Sequence, residues 1–247
     1  MTYVKSKKYT DFKKIHHNCS GPGGLWLAEV IAEKMSIKEG KKLIDIGFYR
    51  GYQTCFLAKE YGVDIVAIDP GGILAGTPYG IEPLMENARE FKVDNKILGI
   101  KIGLPETLLP CNYFDYAHTT NCLEMIRGHK GADGYLAALK EIYRILKTGG
   151  VLGLGEPMCI DIPIPDEIVQ YCKKYSFNTC FVTAEETKRA VTEAGFTVIE
   201  YGFWEEANDW WREHVLNGDP ESDYAKEIEL MINSRWLSFG YVIAIKE

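Results

Sequence analysis

The chain has 247 residues, of which 46% are hydrophobic and 12% aromatic, enough to bury the core of one domain with insertions. Its formal net charge of −7 argues against a nucleic acid or an anionic membrane as partner, because both reward a basic face. The basic N-terminus lacks an apolar core and no run of about 18 apolar residues follows, so the sequence predicts neither a signal peptide nor a membrane span.

The seven cysteines are scattered and none forms a Cys-x-x-Cys pair. This usage predicts no zinc site, reduced thiols and a cytoplasmic protein. The predicted partner is therefore a small molecule, with no nucleic acid and no membrane, and the sequence leaves the oligomeric state open.

Strands and helices alternate through the first two thirds of the chain. A helix with apolar residues at 25, 27, 28, 31, 32 and 35 ends at Gly40. Five strands are then predicted at 43–46, 64–68, 96–102, 113–119 and 151–155, separated by helices near 53–60, 82–91 and 135–146 and by a loop at 70–80. This order predicts an α/β fold with a doubly wound, mostly parallel sheet.

The pattern changes after Gly155. We expect a helix at 183–194, with Thr183 and Glu186 forming a capping box, and two final strands at 197–204 and 236–245. Between them, about 157–182 and 205–235 read as insertions with helical stretches. The chain is therefore predicted to be a single domain, 1–247, whose two insertions cap a ligand crevice at the sheet.

The turn after the first strand carries the clearest functional signal. Gly47 and Gly51 bracket the turn, and the second strand ends in Asp69. Glycines allow a backbone to approach a ligand closely, and a carboxylate after the second strand accepts hydrogen bonds from ribose hydroxyls. Tyrosines at 49 and 52 occupy the later glycine positions of a dinucleotide fingerprint, so the turn predicts a nucleoside-type cofactor and disfavours NAD.

Four segments in order resemble class I S-adenosylmethionine-dependent methyltransferases: DIGFYRG, IVAIDP, NYFDYAHTTNCLEMI and ALKEIYRILKTGGVLGLGEP. The resemblance implies a seven-stranded Rossmann-like sheet with the last strand antiparallel, and S-adenosyl-L-methionine as cofactor. The segments SGPGGL and DWWR are similar to small-molecule methyltransferases of unassigned substrate.

The resemblance also implies roles for individual residues. Those expected at the cofactor are Asp45 and Gly47 at the methionine amino end, Phe48, Tyr49 and Gly51 in the turn, Asp69 at the ribose, Pro70 and Glu106 near the adenine, and Thr119 under the methionine tail. At the acceptor, the candidates for catalysis are His17, Asn121 and Glu124, and those for a substrate wall are Trp204, Trp210 and Trp211.

Several of these residues have a structural alternative. His17 could simply lie on the surface, Glu124 could cap a helix, and the tryptophans could pack in a core. Transfer of an activated methyl group is an in-line displacement that requires positioning and no metal.

The predicted function is methyl transfer to a small-molecule acceptor whose reacting atom stays open. The main alternative is a catalytically silent domain of the same fold, motivated by Tyr49 in the glycine motif. A nicotinamide oxidoreductase is a further alternative. So is an arsenite methyltransferase, in which Cys19, Cys55, Cys122, Cys159, Cys172 and Cys180 would bind the metalloid.

Overall fold

The structure, a computed structural model, describes residues 3–74 and 76–247. Its main sheet has seven strands in the spatial order β5-β2-β1-β6-β7-β9-β8. The strands are β1 (Lys42–Ile46), β2 (Asp64–Ile68), β5 (Ile97–Ile100), β6 (Phe114–Thr120), β7 (Leu146–Cys159), β8 (Thr197–Phe203) and β9 (Leu237–Ile245). Strand β9 pairs antiparallel with both β7 and β8, and the remaining pairs are parallel. The predicted fold class is confirmed.

Helices cover both faces of this sheet, as expected for strands that are apolar on both sides. One face packs against α2 (Gly24–Lys34), α3 (Tyr52–Tyr61) and α4 (Ile81–Phe91), and the other against α5 (Leu123–Ile145) and α8 (Ala184–Glu193). The predicted capping box of α8 is present, with Thr183 accepting from the Glu186 amide. Because β1 and β6 lie side by side at the centre, their carboxyl ends open onto one shared crevice.

Three predicted boundaries need correction. The run at 70–80, predicted as a loop, contains a hairpin of β3 (Gly72–Leu74) and β4 (Thr77–Tyr79), whose strands are too short to show alternation. The helix predicted at 135–146 is the second half of α5, which is bent at Gly131, where φ is 69°. Strand β7 continues to Cys159 because it pairs with β9 along its whole length, so the first insertion begins after that residue.

The helices of the two insertions pack together into one unit, named the cap after its predicted role, which stays a prediction. Helices α6 (Val169–Lys174) and α7 (Phe177–Cys180) come from the first, and α9 (Ala207–Asn217) and α10 (Asp223–Asn233) from the second. They share an apolar core that includes Ile168, Phe181, Trp211 and Met231. The two insertions, separated in the chain by α8 and β8, therefore stabilise each other by burying a common surface.

The N-terminal segment is fastened to α2 by a buried carboxylate. Glu29, only 3% exposed, accepts hydrogen bonds from the amides of Val4, Lys5 and Ser6 and from the Ser6 hydroxyl. These donors lower the pKa of Glu29 despite its burial. A further helix, α1 (Phe12–Asn18), then leads into the glycine-rich loop before α2. Across 3–74 and 76–247, no helix combines the length and apolarity needed to cross a membrane.

Candidate active site

The turn between β1 and α3 is shaped by a close approach to β6. The Gly47 amide donates to the Ile68 carbonyl at 2.9 Å, which joins the turn to β2. Gly47 has a φ of 78°, and a Cβ added there would lie 2.3 Å from the Sγ of Cys122. Left-handed backbone and lack of space both require glycine at this position. The turn is therefore held tightly against the residues that follow β6.

Tyr49 replaces the middle glycine of the motif by keeping a glycine-like backbone. Its φ is 55°, in the left-handed region, and its carbonyl accepts from the Gly80 amide at 2.9 Å. Its ring lies tilted against the ring of Tyr79, with centroids 5.3 Å apart. The side chain thus packs on the hairpin β3–β4.

Asp69, directly after β2, is buried against this turn. It is 6% exposed, and its two oxygens accept from the amides of Tyr49 at 3.0 Å and Gly71 at 2.7 Å. Burial is the largest influence on its pKa and raises it. Each carboxylate oxygen can accept more than one hydrogen bond, so Asp69 retains capacity for ribose hydroxyls. Pro70 beside it is exposed and faces Gly103.

Asp45 has an internal role in the structure. Its Oδ1 lies 2.7 Å from Nδ1 of His118, and its Oδ2 accepts from the Thr54 hydroxyl at 2.5 Å. All three side chains are buried. Asp45 therefore links β1 to β6 and α3. Both of its oxygens have partners within the protein, and its predicted contact with the methionine amino end stays a prediction.

The end of β6 presents polar groups that the protein itself leaves unsatisfied. Thr119 is 1% exposed, and its hydroxyl has no hydrogen-bond partner among the described residues. Asn121 has a φ of 50°, and its side-chain amide donates to the Pro22 carbonyl at 3.1 Å. Its Oδ1 has no partner within 3–74 and 76–247. Buried polar atoms of this kind commonly mark a place where a ligand binds.

Glu124, in the first turn of α5, belongs to a buried charged cluster. Glu156 on β7 accepts from Arg127 at 3.3 Å and from the Tyr135 hydroxyl at 2.9 Å. The Arg127 guanidinium also lies 3.6 Å from the centre of the Tyr135 ring. Burial, and then repulsion from Glu156, raises the pKa of Glu124 to about 8. The cluster joins the start of α5 to the end of β7, beside the crevice.

The remaining predicted site residues are either exposed or buried in a core. His17 is exposed on α1, and Glu106 is exposed in the segment between β5 and β6. Trp204, Trp210 and Trp211 are 4%, 3% and 2% exposed. Trp204 and Trp210 pack with the sheet core, and Trp211 packs in the core of the cap. Their burial favours the packing role over a substrate wall.

Phe48 and Gly51 complete the turn. The Gly51 amide donates to the Phe48 carbonyl at 2.7 Å, and Gly51 precedes the first residue of α3 with a φ of 78°. Phe48 is 5% exposed and packs in the core. The hydrogen bond between these two residues closes the turn, and the Phe48 side chain anchors it in the core.

Sequence reasoning missed three residues near the crevice: Cys122, Arg127 and Glu156. Glu156 could have been found from the sequence, because it is an isolated acidic residue directly after the apolar strand predicted at 151–155. The contact between Cys122 and Gly47 crosses from β6 to β1 and leaves no trace in local spacing. The cysteines as a set are dispersed, and among the described residues no three His, Cys, Asp or Glu side chains form a group suited to a metal ion.

Comparisons with known proteins bear on the family of the chain. Residues 24–201 match the family model described as a methyltransferase domain. The uncharacterized protein YjhP of Escherichia coli K12 is 25% identical over 208 residues, which are 81% of this chain and 78% of that protein. Sterol 24-C-methyltransferase erg6 of Aspergillus fumigatus is 28% identical over 131 residues, 53% of this chain but only 32% of that protein.

Among solved structures, the fold is similar to a geranyl diphosphate C-methyltransferase from Streptomyces coelicolor A3(2). That protein was crystallised with Mg²⁺, geranyl diphosphate and S-adenosyl-L-homocysteine. The TM-score is 0.71 at 14% identity, covering 89% of this chain and 78% of that chain. At this identity, the likeness shows the fold.

Proposed function

The chain belongs to the methyltransferase-domain family and uses S-adenosylmethionine as methyl donor, and from that premise we propose that its acceptor is a small molecule. The observation that carries this proposal is that the glycine turn, Asp69 and the Thr119 hydroxyl, which has no partner among the described residues, lie at one edge of the sheet. We propose that the insertion helices cover this edge. A capped crevice admits a small acceptor more readily than a macromolecular one.

The residues at the crevice suit this cofactor. Asp69 would accept the ribose hydroxyls, with Pro70 beside the adenine. The backbone at Gly47 would receive the methionine end, and the Thr119 hydroxyl would gain a partner, which it lacks within residues 3–74 and 76–247. When bound, the cofactor supplies an activated methyl group, so the protein's task is to align the acceptor and exclude water.

The acceptor would lie beyond Thr119, near Asn121 and Glu124. Asn121 offers an unsatisfied Oδ1, and Glu124 offers a buried carboxyl oxygen, so both can orient a polar group on the acceptor. Proton removal from the acceptor, where the chemistry requires it, would fall to a side chain in this region. The named acceptors of the similar proteins, a sterol and geranyl diphosphate, are small molecules, which supports this substrate class.

The test combines binding with turnover. Calorimetry with S-adenosylmethionine and S-adenosylhomocysteine should show binding of both. A screen of small metabolites with methyl-labelled cofactor, read by mass spectrometry, should then identify a labelled product and its acceptor atom. Methylation of nucleic acid or protein alone would contradict a small-molecule acceptor, and binding without transfer to any acceptor would favour the catalytically silent alternative.

A further inference from the structure

Two buried carboxyl groups lie together beside the proposed cofactor site. Glu124 is 4% exposed and Glu156 is 1% exposed. Burial is the largest cause that raises the pKa of each, and repulsion between the two raises that of Glu124 further. Neighbouring carboxyl groups in such surroundings rarely ionise together. The pair is therefore expected to hold one proton near neutral pH.

The hydrogen bonds indicate which carboxyl group holds that proton. Glu156 receives donors from Arg127 and Tyr135, and donors favour the ionised form. Glu124 has an Oε2 that is buried and has no partner in the described part of the chain. The negative charge therefore resides on Glu156 and the proton on Glu124.

The other groups that face Glu124 compensate its charge only in part. Arg127 and the main chain at Cys122 and Glu124 lower its pKa, but burial and the repulsion from Glu156 outweigh them. Arg127, on the same helix, is directed to Glu156 and to the Cys180 carbonyl, which it reaches at 3.0 Å. The thiols of Cys122 and Cys180 have raised pKa values, chiefly through burial, so they are neutral. A cation brought next to Glu124 would meet a carboxyl group ready to ionise.

The residues just before Glu124 lie at the proposed cofactor site. Cys122, two residues earlier, fills the space beside Gly47, where the methionine end of the cofactor would lie. Thr119, three residues before Cys122, is the next-to-last residue of β6, and its buried hydroxyl lacks a partner among the described residues. The segment from Thr119 to Glu124 thus runs along the edge of the proposed cofactor site.

We propose that Glu124 responds to the charge of the cofactor: it holds a proton in the cofactor-free protein, releases it to solvent when the sulfonium cation binds, and keeps it beside neutral S-adenosylhomocysteine. This inference rests on the proposed function. An opposite charge within about 4–6 Å lowers a carboxyl pKa by about 1–3 units, which is enough to ionise Glu124 near neutral pH.

The consequence is selective retention of the methyl donor. An ionised Glu124 attracts the sulfonium group. Once the methyl group has left, the sulfur is neutral, and Glu124 takes a proton back from solvent. The attraction then disappears, so the product is held less tightly than the donor.

Calorimetry in several buffers at pH 7 tests this without knowledge of the acceptor. The slope of the binding enthalpy against the buffer's ionisation enthalpy gives the protons released. S-adenosylmethionine should release ~0.5–1 more proton than S-adenosylhomocysteine, given the expected pKa change. Glu124→Gln should remove this difference. Glu141→Gln is the matched control, because Glu141 lies on the same helix and pairs with Arg144 three residues on, as Glu124 is spaced from Arg127.

The outcomes are distinct. Equal proton release with both ligands in the wild type overturns the inference but leaves the proposed function standing. A difference that persists in Glu124→Gln assigns the proton to another group and also overturns it. Failure of S-adenosylmethionine to bind overturns the proposed function itself. If Glu124→Gln does not fold, infrared difference spectra of the wild type decide: the protonated-carboxyl band should vanish with S-adenosylmethionine and persist with S-adenosylhomocysteine, and a band that persists with both contradicts the inference.

Discussion

The main-chain amide of Tyr49 donates to Oδ2 of Asp69 at 3.0 Å, so one carboxylate joins the turn after β1 to the end of β2. The same carboxylate is the proposed ribose acceptor. Its orientation is therefore fixed before any ligand arrives, which reduces the cost of ordering the site on binding.

Replacing Asp69 should weaken cofactor binding. Asp69→Asn removes a charged acceptor, and hydrogen bonds to charged groups contribute about 1.5–3 kcal/mol, so affinity should fall about ten- to a hundredfold. Asp64→Asn is the matched control, because Asp64 opens the same strand at its exposed end. Calorimetry with S-adenosylmethionine gives the comparison. Equal affinities for the two variants would contradict the ribose assignment.

Tyr49 should tolerate replacement by glycine better than by valine. Tyr49→Gly removes the backbone strain of a left-handed residue, worth about 1–2 kcal/mol. It also loses the ring contact with Tyr79 and increases the conformational entropy of the unfolded chain. Because these effects oppose each other, the free energy of unfolding should change by less than about 1 kcal/mol. Tyr49→Val keeps the left-handed backbone with a β-branched side chain and should cost about 1–3 kcal/mol. Urea denaturation measures both, and equal stability of the variants would refute the backbone argument.

Replacing Gly47 by alanine should lower the free energy of unfolding more than the same replacement at Gly40, a glycine of similar backbone conformation. Gly40 has a φ of 74° with nothing near its added Cβ, so Gly40→Ala should cost only the left-handed strain of about 1–2 kcal/mol. Gly47→Ala also collides with Cys122 and should cost about 1–3 kcal/mol more. Thermal unfolding separates the two. Similar losses in both variants would mean that the turn can move away from β6.

The raised pKa of Glu124 predicts the direction of a pH effect on stability. Between its ordinary pKa of 4.5 and about 8, the folded protein binds the proton more tightly than the unfolded chain, so this group's contribution to stability falls as pH rises. Glu124→Gln should therefore stabilise the protein at pH 8, on the order of 1–3 kcal/mol. Glu141, whose pKa is lowered chiefly by the Arg144 and Thr107 hydrogen bonds against the opposing effect of burial, should give the opposite sign when changed to Gln. Denaturation at pH 5 and pH 8 measures both effects.

His214 should make the protein acid-sensitive. Burial, and then the charge of His16, lowers the pKa of His214 to about 4. Between pH 6.5 and about 4, the unfolded chain binds the proton more readily, so stability should fall by up to roughly 3 kcal/mol as the pH drops through this range. His214→Gln should flatten this part of the curve, whereas His129→Gln, at an exposed position of α5, should leave it unchanged. A curve unaffected by His214→Gln would contradict the assignment.

The sheet could be predicted because each strand has a recognisable sequence pattern, a short apolar run bounded by turn residues. The match of β2 to the predicted range 64–68 and the capping box at Thr183 are examples. In the candidate site, the sequence indicates only residues whose role depends on their neighbours in the chain, such as the turn at Gly47 and the carboxylate of Asp69 directly after β2. The internal role of Asp45 and the pairing of Glu124 with Glu156 depend on which strands become neighbours, which residue spacing does not record. The sequence leaves the role of the tryptophans open for a related reason, since an aromatic pair has the same sequence pattern whether it faces a ligand or a core.

The order of strands also governs how the chain can be assembled as it is synthesised. Strand β8 has a single neighbour in the sheet, β9, which is made later and inserts between β7 and β8. Until residues 237–245 emerge from the ribosome, β8 has no strand with which to pair, and β7 exposes an open edge. A nascent chain that stops before β9 would therefore leave β7 and β8 with unpaired edges. Such edges can aggregate or be bound by chaperones.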